Sequence, residues 1–412
     1  VATVAILSTG YEVLRGYTLN TNASWLARRG TECGARVTSV VTVGDGLEDL
    51  ARALRAAVAE ADCVLVTGGL GPTEDDRTRE ALALVAGVPL VEDSRARAVV
   101  DAYFRRAARS PGPVQWRQAL VPKGMEPLRN AEGTAPGIAG RVGSAAVFLL
   151  PGPPREMRSL FEAEVLPRWR ALATFDATAA RVVWTAGVPE SEVARPLEPY
   201  MRADEPTVGT HPDDGEVAVR ILARGPGAEA RADAVLAAAR EALGDHVVST
   251  HEDERVQHAV VALLARRGLV VTTAESVTGG LVARMLVEVP GASRVFRGGF
   301  VVYSDAWKAA RLGVPQGLLD RDGAVSASVA AAMAEGALHA GPADLAVATT
   351  GVAGPGPDGR GVPEGTVFVA VAGSGRPTQV ASHRFAVPRV PLQRRAAVAA
   401  LDAVRRALLP GG

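Results

Sequence analysis

The chain has 412 residues, more than a single ordinary core organises, so two or three domains are expected. Its 45 basic and 45 acidic side chains cancel, and aromatic residues make up only 4%. That balance argues against a basic nucleic-acid cradle or a base-stacking platform. Arg, Asp or Glu interrupts every apolar run before it reaches a membrane span.

The first ~170 residues alternate strand and helix patterns. Val4 to Leu7 is a short apolar run, and Asn22 to Arg29 is helical with Asn20 or Thr21 as its cap. Arg36 to Val43 is β-branched and strand-like, and Leu47 to Ala59 is helical. Cys63 to Thr67 reads as a buried strand running into GGLGPTEDD. Helical patterns follow at Thr78 to Val85 and Arg95 to Ala108, then a strand at Ala145 to Leu150 ending in PGPP. This alternation predicts an open, mostly parallel α/β sheet. From 173 to 250 the pattern is that of a small α+β module. Its strands are Arg181 to Thr185 and Val217 to Ala223, its helices Glu190 to Tyr200 and Ala228 to Leu243. From 251 to 412 the pattern returns to α/β. A helix at Glu254 to Arg267 leads into LVVTTAESVTGG, GGFVVYS, a helix near Ser326 to Ala340, LAVATTG, a glycine loop, two more strands and a closing helix.

The two cysteines, Cys33 and Cys63, have no metal-ligand spacing and read as core fillers in a reducing compartment. The opening VATVAILSTG has no basic n-region, so the expectation is a cytoplasmic protein with no signal peptide and no membrane attachment.

Two segments carry chemistry. In LVVTTAESVTGG, Ser276 follows a strand, and Gly279 and Gly280 precede a helix whose free N–H groups could stabilise an oxyanion. The glycines would let a substrate approach the backbone, and Thr278 could bond it or cap the helix. No histidine sits in a motif built to serve Ser276, which turns attention to lysine. Only Lys123 and Lys308 occur in a chain that otherwise uses arginine. Arginine keeps its proton, whereas a buried lysine can release one. A Ser276–Lys308 pair bridged by Tyr303 of FVVYSDAWK is coherent for acyl transfer. A plain helix entry and a solvated lysine are the alternatives. The loop TTGVAGPGPDG, with Ala353 and Gly354, could deliver backbone N–H groups to a phosphate or amide, or be a simple turn.

The second segment is GGLGPTEDDRTRE. Gly68, Gly69 and Gly71 permit close approach to phosphate, and the following helix start adds its dipole. Asp75 and Asp76 are hard oxygen ligands suited to Mg²⁺ or a similar divalent metal. An acidic helix start without a ligand is the alternative.

AESVTGG, PGASRVFRGGFVVYSDAWKAARLGV, GAVS and TTGVAGPGP…GTVFVAV resemble the C-terminal domain of the CinA family, the nicotinamide mononucleotide (NMN) deamidases. The resemblance implies a serine nucleophile at Ser276 assisted by Tyr303 and Lys308, with no cofactor. Val277 stands where most members carry cysteine. FAVPR stands where members have a glycine and an acid before the arginine, so no phosphate role is carried over to Arg389 or Arg394.

TGYEVLRGYTLNTNASWLA, VGDG, GGLGPTEDDRTREALA, NAEGTAPG and LPGPPREM resemble the family's N-terminal, molybdopterin-binding-like (MoCF-like) domain. That likeness implies a metal-dependent ADP-ribose pyrophosphatase over residues 1–172. Glu12, Asn20, Asn22, Gly68, Gly69, Gly71 and Thr78 become nucleotide or phosphate contacts, and Asp45, Asp75, Asp76 and Glu156 metal ligands. The middle module resembles the family's KH-like linking domain, but it holds no basic GXXG loop, so nucleic acid is not an expected partner. The partners implied are NMN, ADP-ribose and a second copy of the chain. Two other readings stay open: a molybdopterin enzyme, and a non-enzymatic accessory protein of competence or DNA damage.

Overall fold

The structure, a computed structural model, describes residues 2–409. It is mixed α/β and forms two compact units. One runs to Ala179 and includes Arg224–Gly227; the other comprises Ala180–Ala223 and Ala228 onward.

The first unit is built on a six-stranded sheet. Its strands, in spatial order, are Arg36–Val43, Thr3–Thr9, Cys63–Thr67, Ala145–Leu150, Gly137–Val142 and Glu126–Leu128. The first four are mutually parallel and the last two pairings are antiparallel. Successive side chains of a strand point to opposite faces, and the core follows that rule. Val4, Ile6, Cys63, Leu65, Phe148 and Leu150 pack on one face, while Ala5, Leu7, Val64, Val66, Val147 and Leu149 pack on the other. Cys33 and Cys63 are both unpaired and buried.

The second unit holds two sheets. The smaller has the order Thr207–Asp213, Glu216–Arg224, Thr178–Ala186, Val247–Ser249. The larger has the order Phe296–Val301, Val271–Glu275, Leu345–Gly351, Thr366–Gly373, Arg376–Arg384. Its first three strands are parallel and its last two pairings antiparallel. Among the described residues no helix is long and apolar enough to cross a membrane.

Two differences from the sequence reading have clear causes. The helix expected at Glu190 to Tyr200 is three short pieces: Glu190–Ala194, a 3₁₀ turn Arg195–Leu197, and Glu198–Met201. Pro196 and Pro199 each remove a backbone donor that a continuous helix needs. The strand Thr207–Asp213, which carries His211 opposite Ala218, was not among the expected strands of this module. The hairpin turns beyond it, where Asp214 and Gly215 have φ of 41° and 108°. Thr207–Asp213 is an edge strand with a largely exposed face, so it lacks the apolar alternation that would have marked it.

Candidate functional site

In both units the carboxyl ends of parallel strands converge on a cleft, as open α/β sheets generally arrange their ligand sites. In the second unit the strand Val271–Glu275 delivers Ser276. Phe296–Val301 leads to Tyr303, and Leu345–Gly351 leads into the glycine loop. Ser276, Val277, Tyr303, Asp305, Lys308, Thr350, Ala353, Gly354 and Arg389 line one cleft of about 350 Å³.

Lys308 is 2% exposed, although it lies on the amphipathic helix Asp305–Leu312. Its Nζ is 3.2 Å from Oδ1 of Asp305, one turn back and half exposed. Tyr303 is largely exposed at the rim. Ser276 is 7% exposed and its N–H is bonded to the Thr349 carbonyl at 2.9 Å. Val277 is buried in the apolar core, where a valine is at home.

The turn after Ser276 differs from expectation. The helix begins only at Leu281, and its N-terminal donors are not free. Glu275, wholly buried, accepts from Gly280 N (2.9 Å), Val282 N (2.9 Å), Ala283 N (2.8 Å) and Thr278 Oγ1 (2.7 Å). A helix start leaves several N–H groups without intrahelical partners, and this carboxylate satisfies them. Thr278 also bonds Thr349 Oγ1 at 2.8 Å. Thr278, Gly279 and Gly280 are not among the cleft-lining residues. Among the described residues, the N–H groups of Val277 and Thr278 are the ones in this turn without an acceptor.

Glu275 was missed because a carboxylate five to eight residues ahead of its donors matches no ordinary capping pattern. Arg389 was set aside on the FAVPR departure, yet it lines the cleft and donates to the Gly354 carbonyl.

In the first unit, the ends of four parallel strands meet at a cleft of about 400 Å³. Glu12, Asn20, Asn22, Asp45, Gly68, Gly69, Gly71, Asp75 and Asp76 all line it. Asn20 is committed to the fold. It caps the helix Thr21–Glu32 through Ala23 N (3.0 Å) and bonds Thr42 at 2.9 Å. Asn22 donates to Thr67 and to the Gly152 carbonyl, and its Oδ1 is buried without a partner. Asp45 accepts from Thr9 and Tyr11 N, and Asp76 from Thr73. Glu156 is not a lining residue; it accepts from Asn130 at 2.7 Å.

The turn after Cys63–Thr67 is held from behind. Gly68 and Gly69 have φ of 102° and 65°, a region that side chains disfavour. Thr78 is 2% exposed and outside the lining; its Oγ1 donates to the Gly68 carbonyl (2.9 Å) and its N–H to that of Gly69 (3.2 Å). Arg79, 1% exposed, donates to the carbonyls of Leu70 (2.7 Å) and Gly71 (2.8 Å). Nothing in the sequence singled out Arg79 among so many arginines.

The residues suit a divalent cation in the first cleft. Among the described residues no three His, Cys, Asp or Glu side chains form a ready-made cage. Mg²⁺ does not require one, since it takes one or two carboxylates with substrate phosphates. Among the described residues, Glu12 lines the cleft with no side-chain hydrogen bond to protein, Asp75 lines it with the Thr73 side chain on its carboxylate, and Asp45 and Asp76 are engaged by protein donors.

Comparison with known proteins divides the chain into three matched segments, two of them, apart from Arg224–Gly227, within the second unit. Residues 5–171 match a probable molybdopterin binding domain, 180–249 a damage-inducible protein CinA KH domain, and 253–408 a CinA C-terminal domain. A CinA-like protein of Frankia casuarinae is 42% identical, over 98% of this chain and 95% of its own. A putative competence-damage inducible protein of Symbiobacterium thermophilum is also 42% identical, over 97% of each. Among solved structures, CinA with unknown function from Thermoplasma acidophilum is 33% identical, covering 42% of this chain and 98% of its own at a TM-score of 0.38. By its full-length likeness to these relatives, the chain belongs to the CinA family.

Proposed function

We propose that the second unit's cleft hydrolyses the carboxamide of nicotinamide mononucleotide to nicotinate mononucleotide and ammonia. The observation that carries this is that Ser276 and a buried lysine, Lys308, line one cleft. Ser276 Oγ attacks the amide carbon, and its proton passes to Lys308 Nζ, directly or through the Tyr303 phenol. The tetrahedral oxyanion takes the Val277 N–H at the cleft wall, since Glu275 occupies the helix-start donors. Lys308 returns the proton to the leaving nitrogen and ammonia departs. Water then attacks the acyl-enzyme, giving its proton to Lys308, and the carboxylate leaves as Ser276 is reprotonated. Asp305, half exposed, orients the lysine and connects it to solvent. Arg389 and the glycine loop form the wall that receives the substrate phosphate.

The test is ammonia release from NMN in EDTA, by wild type and Ser276→Ala. Wild type releases ammonia, and a folded Ser276→Ala loses about a thousandfold or more. A wild type that releases none ends this reading.

A second reading concerns the first unit: metal-dependent cleavage of the ADP-ribose pyrophosphate to AMP and ribose 5-phosphate. It is favoured by a glycine turn and carboxylates lining one cleft at four strand ends. Asp75 and Glu12 would hold the divalent cation, which when bound neutralises charge between the phosphates. Gly68, Gly69 and Gly71 leave room for the phosphates to reach the main chain, and the orphan Asn22 Oδ1 is an acceptor for a ribose hydroxyl. AMP formation that requires Mg²⁺ and drops in Asp75→Asn supports it; metal-independent or absent AMP formation refutes it.

A further inference from the structure

The first unit's cleft is lined by Glu12, Asp45, Asp75 and Asp76, with no lysine, arginine or histidine among its lining residues. An anion entering it meets four carboxylates and no side-chain cation. What offsets them lies behind the wall. Four consecutive carbonyls, Gly68 to Gly71, are all turned away from the cleft: the first two onto Thr78, the second two onto Arg79. Gln118 adds a second donor to the Leu70 carbonyl at 3.4 Å.

A trans peptide is planar, and its N–H points opposite to its C=O. Fixing the carbonyls of Gly68, Gly69 and Leu70 therefore aims the N–H groups of Gly69, Leu70 and Gly71 the other way. Among the described residues these three N–H groups have no acceptor. The fourth peptide ends on Pro72, which has no N–H to aim. Three successive aligned amides make an anion-binding concavity.

We infer that Arg79 is the positioning residue of this anion site: from outside the cleft it turns the Leu70 and Gly71 carbonyls inward, fixes the end of the loop, and so presents the Gly71 amide to a diphosphate beside the Gly69 and Leu70 amides. The guanidinium also places a full positive charge directly behind the loop, with two fixed donors at the geometry its planar fork supplies. Thr78 performs the same alignment for the two preceding peptides. The site takes phosphoryl oxygens, of which the pyrophosphate link of the second reading is one case. Only the identity of the anion rests on that reading.

The test uses full-length protein and inorganic pyrophosphate with Mg²⁺. Binding is measured by calorimetry, and ¹⁵N-resolved amide shifts are followed in the same titration. In wild type the Gly69, Leu70 and Gly71 amides move downfield together. Arg79→Met weakens binding about tenfold or more, and Arg79→Lys, which keeps charge but not the fork, recovers part of the loss. With ADP-ribose as substrate, the Arg79 variants lose in KM more than in kcat. If Arg79→Met fails to fold, the wild-type amide shifts and Arg79→Lys decide. Wild type that does not bind pyrophosphate, binding that leaves the three amides unmoved, or a folded Arg79→Met of unchanged affinity would overturn the inference. Wild type that binds through these amides yet does not cleave ADP-ribose supports it and removes the pyrophosphatase reading alone.

Discussion

The two units place a glycine-bearing turn at the same point, between a buried parallel strand and a helix, and organise it with a buried ion of opposite sign. Behind GGLGPT sits Arg79, which consumes carbonyls and leaves amides facing the cleft. Behind ESVTGG sits Glu275, which consumes amides. The first turn is thereby prepared for an anion. The second gives up its helix-start donors and presents the Ser276 hydroxyl instead. On the readings proposed above, two glycine-bearing turns would serve two chemistries, and the buried charge would decide which.

The comparison breaks most visibly at Lys308. If the second turn serves a nucleophile, removing its base is the largest single effect available. Lys308→Met is expected to reduce ammonia release from NMN by about a thousandfold. Lys308→Arg should not restore it, because a guanidinium keeps its proton. Rescue by arginine would show that the cation matters only as a charge, and the contrast with the first turn would lose its meaning.

Glu275→Gln tests the organising ion itself. The amide keeps the shape but puts an NH₂ where one carboxylate oxygen meets N–H donors. A cost of about 3–5 kcal/mol in the stability of the second unit is expected by thermal unfolding. A fall in kcat of about ten- to a hundredfold should accompany it, as the Val277–Thr278 turn loosens. A variant as stable as wild type would mean that the charge is dispensable.

Much of this was legible before the structure. The alternation of short apolar strands with helices announced parallel sheets. The scarcity of lysine pointed to Lys308, and the glycines marked both turns. The organising ions were not legible. Arg79 is one of 45 basic residues and its role lies in main-chain carbonyls, which carry no sequence signal. Glu275 sits inside the apolar-flanked TTAES, where periodicity assigns a strand end and nothing specifies its acceptors. The helix-start donors at Gly279 and Gly280 looked available because a lone helix entry leaves them so. Thr78 read as a ligand contact because a threonine at a helix start is equally suited to face a phosphate or the chain.

Glycine substitution sharpens the contrast on a smaller scale. Gly69 and Gly279 have nearly the same φ, 65° and 61°. A Cβ at Gly69 would lie 2.2 Å from Thr78 Oγ1, whereas one at Gly279 meets nothing within 4 Å. Gly279→Ala should cost only the backbone strain, about 1 kcal/mol, whereas Gly69→Ala adds displacement of Thr78 and should reach about 2–4 kcal/mol. Equal costs by denaturant unfolding would mean that the first turn is not held as tightly as its hydrogen bonds imply.

Glu216 supplies the mildest test, because it is a buried carboxylate only half satisfied. It is 1% exposed; one oxygen accepts from Val256 N at 2.9 Å and the other has no partner. Burial pushes its pKa from the usual 4.5 up to about 7, against the pull of that N–H and of Arg255 and Arg394, while Asp213 pushes the same way as burial. The folded chain therefore holds this proton more tightly than the unfolded chain. Its stabilisation is fully present below about 4.5 and is lost as pH rises through about 7. Glu216→Gln keeps an acceptor for Val256 N and has no proton to lose. Relative to wild type, the variant should gain about 1–3 kcal/mol between pH 5 and pH 8, read as Tm against pH. Parallel curves for the two proteins would show that the carboxyl does not change charge over this range.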